Sequence, residues 1–170
     1  MGRRTKSRFS WAVVPIALIL CACQSIDDKR IPAAPVNIVF KTQGEWETYG
    51  VNGAASHRRF IKTTNPPEPV NFPYAVSSYT GYGGVLLVTD YYGTPLAYDL
   101  SCPFEAKPDI RIRVDAQAGN AVCPVCGSTY DIFEAFGHPT SGPAAQRGYG
   151  LARYRVLNPN QPLNYMVVTR

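Results

Sequence analysis

The sequence predicts a small, antiparallel, all-β domain, and three observations carry that prediction. Ile110-Arg111-Ile112-Arg113-Val114 alternates apolar and basic residues strictly, as a strand with one buried face does. Val85-Leu86-Leu87-Val88 is a short apolar run entered through Gly83-Gly84, suited to a strand buried on both faces. Fifteen prolines and 14 glycines punctuate the 170 residues too often for long helices, and no long stretch has helical periodicity.

Each element follows in order. Residues 1–22 begin with Arg3, Arg4, Lys6 and Arg8, and Trp11 to Cys21 is an apolar run too short for a permanent span. The run ends in Leu20-Cys21-Ala22-Cys23. Residues 23–35 combine Asp27-Asp28-Lys29-Arg30 with Pro32 and Pro35 and are expected as an extended, solvated tether. Residues 36–170 are expected to form the β domain. Its strand candidates are Val36–Phe40, Val85–Val88, Leu96–Leu100, Ile110–Val114, Ala121-Val122, Tyr130–Phe133, Leu151–Val156 and Tyr165–Val168. Tyr91-Tyr92-Gly93-Thr94-Pro95 and Ala118-Gly119-Asn120 carry turn chemistry between them. Asn65-Pro66-Pro67-Glu68-Pro69 is expected as an ordered loop, and no internal repeat is visible.

The charge is uninformative about partners once the leader is set aside. The chain is formally +5, but the leader holds four basic residues and no acids, which leaves 13 basic against 12 acidic residues. The high isoelectric point therefore gives no support for nucleic-acid binding. No Gly-rich phosphate loop and no Ser/His/Asp grouping stands out, so independent enzymatic activity is not expected. Eleven tyrosines, with Tyr74, Tyr79, Tyr82, Tyr91 and Tyr92 close in sequence, suit half-buried strands or a binding surface.

Two loops carry the chemistry: Ser101-Cys102-Pro103-Phe104-Glu105 and Cys123-Pro124-Val125-Cys126-Gly127-Ser128-Thr129-Tyr130-Asp131. With the strands around them and the later Ser141-Gly142-Pro143-Ala144, they resemble the cluster-binding loops of the Rieske iron–sulfur family over roughly residues 84–157. That family reads Cys-x-His in the first loop and Cys-x-x-His in the second. Here both cysteines stand, Phe104 occupies the first histidine position and Cys126 the second.

The resemblance implies a Rieske-like sandwich or barrel. It implies Cys102, Cys123 and Cys126 as metal ligands, with Ser128 and Tyr130 donating to sulfur and Pro143 in the loop that covers the site. Glu105, one residue past the lost histidine position, is the candidate fourth ligand. His138, at a hairpin, and His57, in His57-Arg58-Arg59, are read as surface residues. Three states of the site stay open: a modified [2Fe–2S] centre of lowered potential, a zinc site, and a metal-free site with two thiols joined as a disulfide.

Leu20-Cys21-Ala22-Cys23 resembles the lipobox of bacterial lipoproteins, which implies a diacylglycerol on Cys23 and residence on the cell envelope. Two functions follow as expectations. One is electron transfer by a lipid-anchored Rieske-like domain to a redox partner in the envelope. The other is a structural or interaction lipoprotein that reuses the fold around zinc or a disulfide.

Overall fold

The computed structural model describes residues 2, 25–160 and 164–168. The leader and Cys23 lie outside the described residues. Eleven strands and two short helices follow one another as β1 (Val36–Val39), α1 (Gln43–Tyr49), β2 (His57–Phe60), β3 (Tyr79–Thr80), β4 (Val85–Thr89), β5 (Pro95–Asp99), β6 (Arg113–Asp115), β7 (Asn120–Val122), β8 (Thr129–Asp131), β9 (His138–Ser141), α2 (Gly142–Arg147), β10 (Arg153–Asn160) and β11 (Asn164–Val168). All pairings between strands are antiparallel. The fold is all-β, as the sequence predicts.

A seven-stranded sheet has the order β2-β4-β5-β10-β11-β1-β3, and a four-stranded sheet has the order β6-β7-β8-β9. β4 is buried along its whole length, which is what its unbroken apolar run anticipates. Because side chains alternate across a strand, β4 serves two cores. Leu86 and Val88 pack with Leu100, Cys102, Ala121, Cys123, Tyr130 and Ile132, between the two sheets. Val85 and Leu87 pack on the other side with Ile38, Phe40, Trp46, Phe60 and Phe72. That second core is aromatic, and its rings meet edge-on, Phe40 against Trp46 at 5.0 Å and against Phe60 at 5.7 Å.

The turns follow their sequence signals. The β4–β5 hairpin turns through Gly93 at φ 84°, and the β6–β7 hairpin through Gly119 at φ 66°. The alternating segment narrows at its start: Ile112 is fully buried and Arg111 bridges Ser101, but the paired strand runs only Arg113–Asp115. β2 and β9 carry little apolar sequence because they lie at sheet edges, where only Phe60 of the two strands is buried. The two helices are too short for periodicity to reveal them. α1 is set by its ends: the Thr42 side chain accepts from the Glu45 N–H, and Trp46 anchors the inner face.

Residues 25–35, expected as tether, are packed on the domain. Asp27 N–H donates to the Gly148 carbonyl at 2.7 Å, and Gly150 N–H donates to the Asp27 carbonyl at 2.9 Å. Ile31 is buried, and Gly81 N–H donates to the Pro35 carbonyl at the other end. Arg30 lies over the Tyr149 ring at 4.5 Å. This strap walls a cleft of about 620 Å³ whose opposite side is Ala152 and Tyr154. No helix among the described residues is long and apolar enough to cross a membrane.

Candidate metal centre

The two cysteine loops leave different sheets and meet. The first follows β5 and is held by a buried carboxylate. Asp99, fully buried, accepts from the N–H groups of Ser101 at 2.7 Å, Tyr82 at 3.0 Å and Gly83 at 3.2 Å, and from the Tyr154 hydroxyl at 2.6 Å. A buried carboxylate needs such donors, and four of them fix where Cys102 begins. Cys102 N–H then donates to the Ile110 carbonyl at 2.9 Å, and Ala106 N–H to the Cys102 carbonyl at 2.8 Å, closing the turn.

The second loop connects β7 to β8. Cys123 N–H donates to the Ser128 carbonyl at 2.9 Å and Gly127 N–H to the Cys123 carbonyl at 3.0 Å. Gly127 takes φ 70°, the left-handed conformation that lets the chain turn back between Cys126 and Ser128. Ser128 is fully buried, and its Oγ accepts from Ala144 N–H of α2 at 3.0 Å. Pro143 stands in the first turn of α2, where a missing N–H costs nothing, so the predicted covering loop is a capped helical turn.

These constraints converge three sulfurs. The Sγ atoms of Cys102, Cys123 and Cys126 all lie within 4.8 Å of one another. Cys102 and Cys123 are buried and Cys126 is half-buried, and all three are free thiols. Cys102 Sγ is 3.6 Å from Cys126 Sγ, well beyond the bonded distance of about 2.05 Å. Cys102 Sγ is also 3.3 Å from the Tyr130 hydroxyl, and Cys126 Sγ is 3.2 Å from Ser128 Oγ.

The thiols differ in their ionisation. Burial pushes Cys102 up to about 12, against opposing hydrogen bonds from Tyr130 and the Glu105 N–H. Burial also acts against ionised Cys126, but hydrogen bonding with the Ser128 side chain and backbone and with the two neighbouring thiols outweighs it and holds Cys126 below the ordinary thiol value. An ion that takes the protons' place offsets the burial penalty on Cys102 and Cys126 together.

The other predicted residues are placed less centrally. Glu105 is half-buried in the first turn, and its backbone, not its carboxylate, reaches Cys102. Neither Glu105 nor any other carboxylate or imidazole among the described residues joins the three sulfurs. His138 opens the edge strand β9 and His57 opens β2. Phe104 fills the lost histidine position with an apolar ring that packs toward Tyr149, centroids 6.5 Å apart. The sequence motifs point to the sulfurs and their hydroxyl neighbours but not to the part Asp99, Tyr82 and Tyr154 play in holding the first loop. The one available signal was an acid closing the otherwise apolar strand Leu96–Leu100.

The fold and site together define a small all-β domain with a three-thiol centre between its sheets. The chain matches no protein-family model, and no curated protein or solved structure is significantly similar to it.

Proposed function

We propose that this is a lipid-anchored envelope domain of Rieske-like architecture whose three cysteines hold one metal ion, with zinc the best fit. The supporting observation is the mutual closeness of Cys102, Cys123 and Cys126 Sγ, all within 4.8 Å, with 3.6 Å between the first and third. Tetrahedral zinc with Zn–S near 2.3 Å holds its sulfurs about 3.8 Å apart. In a two-iron cluster the ligands of one iron are separated from those of the other by the length of the cluster core. Three sulfurs gathered this closely suit one ion better.

The donor set also departs from the histidine-ligated cluster of the Rieske family. Phe104 has no donor atom, and Cys126 supplies a thiolate where an imidazole would stand. The proton-coupled oxidation of a quinol, which needs such an imidazole, has no residue to perform it at this site. Zinc has no redox chemistry, so the reading is structural: the ion ties the β5 loop to the β7–β8 loop and presents a fixed surface for an envelope partner.

Electron transfer remains the second reading, favoured by one specific observation. Tyr130 and Ser128 bring hydroxyls to 3.3 and 3.2 Å from the sulfurs of Cys102 and Cys126, as groups that tune a cluster potential do. The deciding experiment measures zinc, iron and acid-labile sulfide in residues 24–170 prepared anaerobically, where the chain starts after Cys23. One zinc and no sulfide supports the structural centre. Two irons and two sulfides support a [2Fe–2S] centre with Glu105 as the first fourth-ligand candidate to replace. Neither metal nor sulfide, after metal supplementation, overturns both readings.

A further inference from the structure

We infer that the cysteine-loop end of the domain is held face-on against the lipid surface, with Val125 and the exposed end of α2 at the headgroups. The inference rests on acylation of Cys23 and adds an orientation to it.

The strap docks beside the helix turn that covers the second cysteine loop. Asp27 forms a parallel bridge to Tyr149, with hydrogen bonds to Gly148 and Gly150 on either side. Because the bridge is parallel, the chain upstream of Asp27 runs toward the chain upstream of Tyr149, which is α2. That helix turn covers the second cysteine loop through Ala144 and Ser128. Tyr149 itself lies between the strap and the site: Arg30 stacks on its ring at 4.5 Å and Phe104 packs toward it at 6.5 Å.

Length then decides the orientation. Cys23 is four residues from Asp27. Four residues reach at most about 14 Å. A domain of this size is roughly 40 Å across, so an anchor this short brings to the bilayer only the side on which Asp27 is docked. A free tether from 23 to 35 would reach about three times as far and leave the domain free to turn.

The surface on that side suits lipid. Val125, at the tip of the second loop, is 61% exposed, and an exposed valine between two ligands has no packing role to explain it. Lys29 and Arg30 of the docked strap and Arg147 at the end of α2 are exposed, basic groups suited to anionic headgroups. The opposite end is marked by Tyr92, which is 96% exposed at the far end of the β4–β5 hairpin from Cys102.

The test places tryptophan at each end of the mature chain, acylated on Cys23 and freed of the leader with its Trp11, in vesicles of phosphatidylglycerol and phosphatidylcholine with brominated acyl chains. Val125→Trp and Arg147→Trp are each expected to lose about half of the added fluorescence, and Tyr92→Trp to keep its own. Trp46 is buried in the aromatic core and gives the same background in each variant. A Gly/Ser insert of about 20 residues after Gln24, spanning about 25 Å on average, is expected to relieve the quenching. Arg147→Trp stands outside both cysteine loops, so it reports even where Val125→Trp disturbs the metal site. Acylated chains in which neither Val125→Trp nor Arg147→Trp is quenched, or in which Tyr92→Trp is quenched equally, overturn the orientation alone. An intact mass showing Cys23 unmodified overturns the anchor and the orientation together.

Discussion

At the scale of single residues, backbone conformation and a buried ring each give a measurable expectation. Gly127 and Gly142 both take positive φ, 70° and 75°, but their surroundings differ. A Cβ on Gly127 meets nothing within 4 Å, whereas one on Gly142 lies 2.8 Å from Ser128 Cα and 3.1 Å from Ser128 N. Gly127→Ala should therefore cost about 1 kcal/mol, the left-handed penalty alone. Gly142→Ala should cost more, about 2–3 kcal/mol, since the added atom meets backbone. It should also weaken metal binding, because Ser128 holds Cys126. Urea unfolding and metal titration of the two variants check the difference, and equal costs would contradict it. Tyr98 gives the pH dependence. Burial pushes its phenol well up, with Asp131 and Asp90 adding to the shift and Arg153 opposing it. The folded state keeps this proton where the unfolded chain loses it, so the stabilisation is complete below about pH 10 and is lost as pH rises above that value. Tyr74 acts in the same direction, from burial and from Glu68. Tyr98→Phe leaves the Ile132 carbonyl without its donor, costing about 1–3 kcal/mol near neutrality. Its stability should then fall less steeply than wild type across the alkaline range. Thermal melts from pH 8 upward test the slope.

At the scale of elements, what the sequence made legible tracks how much local signal each element carries. β4 and β5 were plain because an apolar run ends at a Gly-bearing turn, and both cysteine loops were plain because spacing and turn residues agree. That the three sulfurs gather was legible only through the resemblance of the two loops to a metal-binding pair; their separations depend on how the two sheets pack. Edge strands β2 and β9 and the short helices give almost no periodic signal. The strap shows the limit most clearly. Polar residues and prolines read as solvated chain, yet a single apolar residue, Ile31, is 5% exposed, and the backbone of Asp27 pairs with a neighbouring segment. Extended conformation is common to tethers and to packed straps, and only tertiary contact separates them. Ile31→Ala tests the packing. A docked strap predicts a loss of about 2–5 kcal/mol, the usual cost of truncating a buried isoleucine. It also predicts faster proteolysis within residues 25–35. A free tether predicts no change in either.

At the scale of the whole molecule, the three-thiol centre adds to the side-chain packing and hydrogen bonds between the two sheets, among them Ile112 N–H to the Leu100 carbonyl at 2.8 Å and the Tyr98 hydroxyl to the Ile132 carbonyl at 3.1 Å. Cys102 follows β5 of the large sheet, and Cys123 and Cys126 lie between β7 and β8 of the small one. The core between the sheets includes Cys102 and Cys123 themselves beside Leu86, Val88, Tyr130 and Ile132, so a bound ion and the hydrophobic contacts act on the same interface. An ion bound there stabilises the native state by mass action: at a thousandfold excess over Kd the gain is about 4 kcal/mol. For a domain of this length that raises Tm by roughly 10 °C. A strong chelator should remove this gain, and zinc should restore it. Cys126→Ser is the informative variant, because Cys126 is the half-buried member and serine leaves the loop turn intact. Its Tm should match that of chelated wild type and should not respond to chelator. A Cys102–Cys126 disulfide would behave in the opposite way, because the cross-link would then be covalent: reductant would lower Tm, chelator would not, and Cys102→Ser would be as damaging as Cys126→Ser. The response of one melting curve to chelator and to reductant therefore separates a metal staple from a disulfide without identifying any partner.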